Sequence, residues 1–178
     1  RSAVGSSQAD LSFLMTYAVA GALLKYGGKL AFVLPQSAFR AHGGAGFRQF
    51  AIRKGNGYIH LKVHVVDDMT ALQPFENAST FTCVALIEKG SRTEYPVPYL
   101  VWDKRENFDY NSSLEEVKSK CRILSCKAQP SVTDDNISRW VVSDENALVA
   151  LEKLMRPSTY TAHVGIASGA NSVFRVEI

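Results

Sequence analysis

Hydrophobic positions change their period along this chain, and each change predicts an element. From Leu11, apolar side chains recur at Leu14, Met15, Ala18, Ala22 and Leu23, the spacing of one buried helical face. Asp10 stands where an N-cap accepts an orphan N–H of the first turn, and Gly27-Gly28 supplies the left-handed turn that ends a helix. Lys29 to Leu34 is then apolar without a break after its first residue, the pattern of a strand covered on both sides. Helix, short turn and buried strand make half of a βαβ crossover, so a mostly parallel sheet is expected. Ligands of such sheets sit beyond the carboxyl ends of the strands, where Pro35, Gln36 and Ser37 fall.

The next segment, 38–46, is a loop rich in glycine, and a short helix is predicted after it with Phe47, Phe50, Ala51 and Ile52 inward, ending near Gly55-Asn56-Gly57. Tyr58 to Val66 alternates, with Ile59, Leu61, Val63 and Val65 on one face and His60, Lys62 and His64 on the other, which predicts a half-exposed strand. A loop over 67–79 leads to a strand from Thr80 to Glu88, stopped by Lys89-Gly90. The connection between these strands is too short for a crossover helix, so they are expected to be antiparallel neighbours. Beyond Gly90 the pattern predicts a long connector over 91–112 with one short extended piece. A helix follows from Ser113 to Cys121, capped by Ser112 or Ser113, with Glu115 and Glu116 in its first turn. Then come a strand over 122–127, a turn at 133–136 and a helix over 146–155 capped from Ser143 or Asp144. Residues 1–9 read as a loose lead-in, and GIASGANSVFRVEI at the end as a glycine-punctuated turn into a strand.

Composition narrows this little. The 178 residues, 46% of them apolar, suffice for one solid core or one core plus a smaller module. A net charge of +3 permits a nucleic-acid partner without demanding one. The cysteines, Cys83, Cys121 and Cys126, form no CxxC pair, and Cys83 lies within an apolar run, so a reducing, cytoplasmic setting is expected. No apolar stretch approaches the ~20 residues that cross a bilayer. A start on Arg1 rather than Met reads as an engineered or proteolytic piece or an internal segment of a longer protein.

Most candidate chemistry dissolves on inspection. His60 and His64, on one face of a strand, stand about 13–14 Å apart at strand rise, too far to share a metal, so no metal site is expected. Asp67-Asp68 at a strand end reads as ordinary turn chemistry. Gly43-Gly44-Ala45-Gly46 precedes a helix but lacks both the Lys-Ser/Thr of a P-loop and the GxGxxG spacing, and reads as a flexible lid or a plain loop. Ser37 has no GxSxG around it, and no catalytic nucleophile is assigned. Two features remain, Pro35-Gln36-Ser37 at a strand's carboxyl end and Pro74-Phe75-Glu76-Asn77 in a loop at the same margin. Phe75 either covers the core edge or offers a stacking platform for a planar ligand such as a flipped base.

The succession of a helix, GGKLAFVLPQSAF, GFRQFAIRKG, a strand and PFENASTFTCVALIEKG resembles the second half of the catalytic core of N6-adenine DNA methyltransferases, gamma-type, from bacterial restriction–modification systems. The resemblance covers about residues 10–90, and GIASGANSVFRVEI looks like the passage that opens the target-recognition region of these enzymes. It implies an α/β fold that is the distal half of a Rossmann-like methyltransferase sheet, a parallel strand plus a terminal antiparallel hairpin, followed by a smaller α+β segment. The implied division is a lead-in over 1–9, core over 10–90, connector or insert over 91–158 and the start of target recognition over 159–178. It further implies that Phe75 stacks on the extruded adenine, that Pro35 and Gln36 border the base and cofactor pocket, and that Arg40 and Arg48 contact DNA phosphates at the rim, although Arg48 could equally brace its own helix. The implied cofactor is S-adenosylmethionine and the implied partner is double-stranded DNA. The family's cofactor loop and its (D/N)PP(Y/F/W) tetrapeptide are absent, so the chain is expected to need the missing N-terminal half of the core in order to methylate, and its uncovered sheet to favour dimers. Two other readings stand beside this one, a non-catalytic DNA-binding or specificity module of a restriction protein and a degenerate methyltransferase fold used for interaction.

Overall fold

The computed structural model describes residues 10–75, 79–109, 111–132 and 134–154. Its first helix, α1 (Leu11–Ala22), is capped by the Asp10 carboxylate, which accepts the Ser12 N–H at 2.8 Å. The face that α1 buries is not the expected one. Phe13, Thr16, Tyr17 and Ala20 point into the core, while Leu11, Leu14, Met15 and Leu23 are exposed. The helix is apolar nearly all round, so spacing alone could not choose a face. The aromatic residues decide it, because Phe13 stacks on Phe47 at 4.9 Å and the Tyr17 hydroxyl donates to the Phe47 carbonyl at 2.6 Å.

Strand β1 (Lys29–Pro35) follows, then the short α2 (Ser37–Arg40), 3₁₀ turns over His42–Gly44 and Phe47–Gln49, and β2 (Ala51–Lys54). β3 (Gly57–Asp68), β4 (Thr82–Lys89) and β5 (Val97–Lys104) lead to α3 (Leu114–Ser119), β6 (Cys121–Val132), β7 (Asp135–Ser143) and α4 (Glu145–Leu154). The strands form one seven-stranded open sheet in the order β1-β4-β3-β5-β6-β7, with β2 pairing β3. All pairings are antiparallel except β3 with β5. The expectation of a mostly parallel sheet is therefore overturned, because the strand beside β1 is β4, which returns against it. The expected antiparallel pairing of β3 with β4 is present, and β4 lies between β1 and β3, which run the same way. β1 is also not covered on both sides. Among the described residues it is an edge strand, with Leu34 buried and Val33 exposed.

The predicted helix after Phe47 is instead a single 3₁₀ turn feeding β2, which forms a hairpin with β3 through Gly55-Asn56. Phe50 takes a left-handed conformation (φ 44°) there, held between the rings of Phe47 and Trp140 at 5.6 and 5.8 Å. In β3 the alternation holds through Val63, then a bulge between Val63 and Val65 shifts it, so that Val66 and Asp68, not Val65, face inward. Residues 91–112, expected as a connector, contribute β5, and β6 and β7 extend the same sheet. Ser113 caps α3 by accepting the Glu116 N–H, and Asp144 caps α4 by accepting the Ala147 N–H. The lead-in 1–9, Glu76-Asn77 and the C-terminal passage lie outside the described residues.

At the other end of α1, Lys89 of β4 is buried and its ammonium donates to the carbonyls of Gly21 and Leu24 at 2.8 and 2.7 Å, so a cation meets the negative end of the helix dipole. Among the described residues, no helix is long and apolar enough to cross a membrane.

Candidate functional site

β1 and β3 point their carboxyl ends the same way, and the chain leaving β1 meets the last residue of β3. Pro35, paired with Thr82, closes β1. Gln36 begins α2 without a side-chain cap bond; its amide donates instead to the Asp68 carboxylate at 3.1 Å, and its backbone N–H to the Phe81 carbonyl at 2.8 Å. Asp68 also accepts the Tyr99 hydroxyl at 2.7 Å and the Thr70 N–H at 3.0 Å. The Arg40 guanidinium lies 3.8 Å from the same carboxylate and 5.8 Å over the Tyr99 ring, with its outer part exposed. Burial works to raise the Asp68 pKa, but the bonds from Thr70, Tyr99 and Gln36 outweigh it and hold the carboxyl below its ordinary value. Burial and the adjacent Asp68 push the Tyr99 phenol up, so it remains a donor. The nearby Cys83 thiol is pushed to about 12, chiefly by burial, and stays protonated.

The loop after β3 turns at Met69, whose N–H donates to Thr82 and whose carbonyl accepts from Leu72 and Gln73. It carries Phe75 to the same margin, where Phe75 is 48% exposed beside a second exposed aromatic, Phe81. Pro35, Gln36, Arg40 and Phe75 are thus brought to one end of the sheet. The arrangement offers a flat apolar face, a rim cation and a fixed carboxylate network.

Arg48 is not at that rim. It is 1% exposed, and its guanidinium donates to the carbonyls of Ala38, Ala41 and Ile137 at 2.8, 2.9 and 3.0 Å. It braces the 38–49 loop against β7 rather than reaching a phosphate. The glycine loop is correspondingly no lid, since a Cβ on Gly44 would lie 2.2 Å from the Ala38 carbonyl oxygen and 2.7 Å from Arg48 Nη1.

Asp68 and Tyr99 are the residues that sequence reasoning missed. The available signal was two acidic residues ending an apolar strand, but only the bulge in β3 turns Asp68 inward, and nothing local announces a bulge. Its neighbour Asp67 accepts the Trp102 indole N–H at 2.8 Å. His64 pairs with Glu88 at 2.8 Å and His60 accepts from Arg92 at 3.2 Å; among the described residues no group of His, Cys, Asp and Glu is placed to hold a metal. Compared with protein-family models and with curated proteins, the chain matches none.

Proposed function

We propose that this chain is the distal part of an S-adenosylmethionine-dependent DNA adenine-N6 methyltransferase of a restriction–modification system, supplying one wall of the flipped-adenine pocket together with contacts to double-stranded DNA. The observation that carries this reading is β4 lying antiparallel between β1 and β3, which brings Pro35-Gln36 and the exposed Phe75 to one margin. The resemblance implies a terminal hairpin and a loop phenylalanine, and this arrangement supports it. Phe75 offers its face to the base, Pro35 and Gln36 border the pocket, and Asp68 fixes Gln36 by taking its amide N–H and leaving its carbonyl oxygen to accept a ligand donor. Arg40 supplies the rim cation for a phosphate.

The described residues do not by themselves fit S-adenosylmethionine, since the pocket beside Phe75 measures only about 10 Å³. The cofactor belongs to the half of the core that precedes this segment, and no step on it is assigned to these residues. The same half accounts for two uncovered surfaces, the apolar outer face of α1 with Leu11 and Leu23 68% and 74% exposed, and the outer edge of β1, which no strand pairs among the described residues.

The test uses the polypeptide that carries both halves and a duplex with 2-aminopurine at the target adenine. Phe75→Ala weakens binding of the extruded base by about 1–3 kcal/mol, the worth of one base–aromatic stack. A variant that flips and methylates as well as the unsubstituted protein removes Phe75 from this role. Tight binding of S-adenosylmethionine by the 178-residue chain alone, read by calorimetry, contradicts the assignment of the cofactor to the other half.

A further inference from the structure

On one of its edges β3 has two successive partners. β2 pairs with residues 57–60, and β5 pairs with Val66–Asp68. In the gap between them, Leu61 donates its N–H to the Phe50 carbonyl, while the Thr93 hydroxyl donates to the Leu61 carbonyl and accepts the Val63 N–H at 3.1 Å. One side chain thus does the work of the missing ladder, and beside it a pocket of about 250 Å³ opens. Arg48, His60, Arg92, Thr93, Tyr95 and Asn136 line it together with Gln49 and Phe50, and none of these is acidic.

The charge balance of this pocket is one-sided. Arg48 has no carboxylate within ion-pair distance among the described residues. Its Nε and Nη1 hydrogens are taken by three carbonyls, which leaves the two hydrogens of Nη2 without a hydrogen-bond partner among those residues. Burial, with Arg139 nearby, disfavours its charge, a cost that an anion relieves. Tyr95 lines the wall, but its hydroxyl is buried beside the Trp140 indole and is not offered to the pocket. Arg92 stands exposed on the pocket's margin, its Nε held at 3.2 Å from the His60 ring nitrogen and its two terminal amino groups left over. A second pocket, of about 210 Å³, also touches Arg48 but carries Asp135, so the opposite charge is supplied there by the protein.

We propose that the pocket between β2 and β5 binds a phosphate-class oxyanion, gripped by the buried Arg48 and the exposed Arg92, with Thr93 and Asn136 completing its polar lining. It lies near the start of β3, roughly 25 Å at strand rise from Asp68, and is independent of the DNA reading. The ligand is either free phosphate or the phosphomonoester of a small molecule.

The experiment is a ¹H–¹⁵N NMR titration of the whole 178-residue chain with sodium phosphate and, separately, with glycerol 3-phosphate, at constant ionic strength set by chloride. Saturable shifts are expected at the amides of Gln49, Thr93, Tyr95 and Asn136 and at the Arg92 Nε–H, with a Kd of about 1 mM or tighter. Arg92→Ala, an exposed substitution, weakens this at least about tenfold, the loss of one charge-assisted contact. Tighter binding of glycerol 3-phosphate identifies the monoester as the natural source, and equal or weaker binding identifies the free ion. Absence of saturation, shifts confined to the Arg40 end of the sheet, or an Arg92→Ala titration identical to the parent's overturns the proposal.

Discussion

Replacing Asp68 by Asn tests the buried network that fixes Gln36. The carboxylate accepts three hydrogen bonds, two on Oδ2 from Gln36 and Tyr99 and one on Oδ1 from the Thr70 N–H. An amide has one oxygen. Turned to Gln36 and Tyr99, it sets its NH₂ against the Thr70 N–H. Turned to Thr70, it sets its NH₂ against the other two, where Gln36 must flip and the Tyr99 hydroxyl must accept, leaving its own proton without this acceptor. Leaving one buried donor unpaired costs about 1–3 kcal/mol. The surviving bonds lose their charge assistance, roughly half their strength, while the variant no longer desolvates a carboxylate. The net is a destabilisation of about 2–3 kcal/mol at neutral pH, read as a lower urea midpoint with an unchanged slope. The pH dependence carries the sharper prediction. The folded-state pKa of Asp68 is depressed, so its contribution is complete above the unfolded value of about 3.9 and is lost as pH falls through the folded value. The gap between parent and Asp68→Asn is therefore constant from pH 7 to about 5 and closes below about pH 4. A gap that is absent at pH 7, or that stays the same into acid, refutes the charged-acceptor account.

Other consequences are equally direct. Gly44→Ala places a Cβ against the Ala38 carbonyl and the Arg48 guanidinium, and is expected to lower stability by about 2 kcal/mol or more in thermal unfolding, unlike Gly27→Ala, where strain is confined to a turn with open space. Lys89→Met leaves the Gly21 and Leu24 carbonyls at the end of α1 without their cation, for a loss of about 2 kcal/mol by chemical denaturation, a loss that should not fall with added salt as a surface pair's would. Cys83, with its thiol pushed to about 12 and fully buried, remains unmodified by iodoacetamide at pH 8 under native conditions while Cys126, partly exposed, is alkylated, as peptide mass mapping would read.

Local pattern was a good guide wherever one residue acts on its own turn. The caps at Asp10, Ser113 and Asp144 were readable because each acts within its own turn, and the β3–β4 pairing because the connection is too short for a crossover helix. The helix stop was not, since α1 ends at Ala22 with Leu23 as its C-cap, before the left-handed turn at Gly27. What sequence could not supply were choices settled by distant partners. α1 offers two apolar faces, and Phe47 selects the one with Phe13 and Tyr17. β1 is apolar enough for the middle of a sheet yet lies at its edge among the described residues. Arg48 looked like a surface cation because its acceptors are bare carbonyls, which carry no side-chain signature. In the candidate site, the structure brings the expected Pro35, Gln36, Arg40 and Phe75 to one margin, whereas the placement of Asp68 and Tyr99 depends on a bulge and on the parallel register of β5.

The brace made by Arg48 also sets an order of assembly. Its bond to Ile137 spans 89 positions, and Trp140 of the same strand packs on Phe39 and Phe50. The loop that follows β1 can therefore acquire its final shape only after β7 has been synthesised and paired with β6. Contacts of such long range close late and slowly. A polypeptide ended at Gly90 would keep β1, β3 and β4 but present an unlatched segment from Ser37 to Phe50. The two stretches that look separable along the chain are, in time, one cooperative unit.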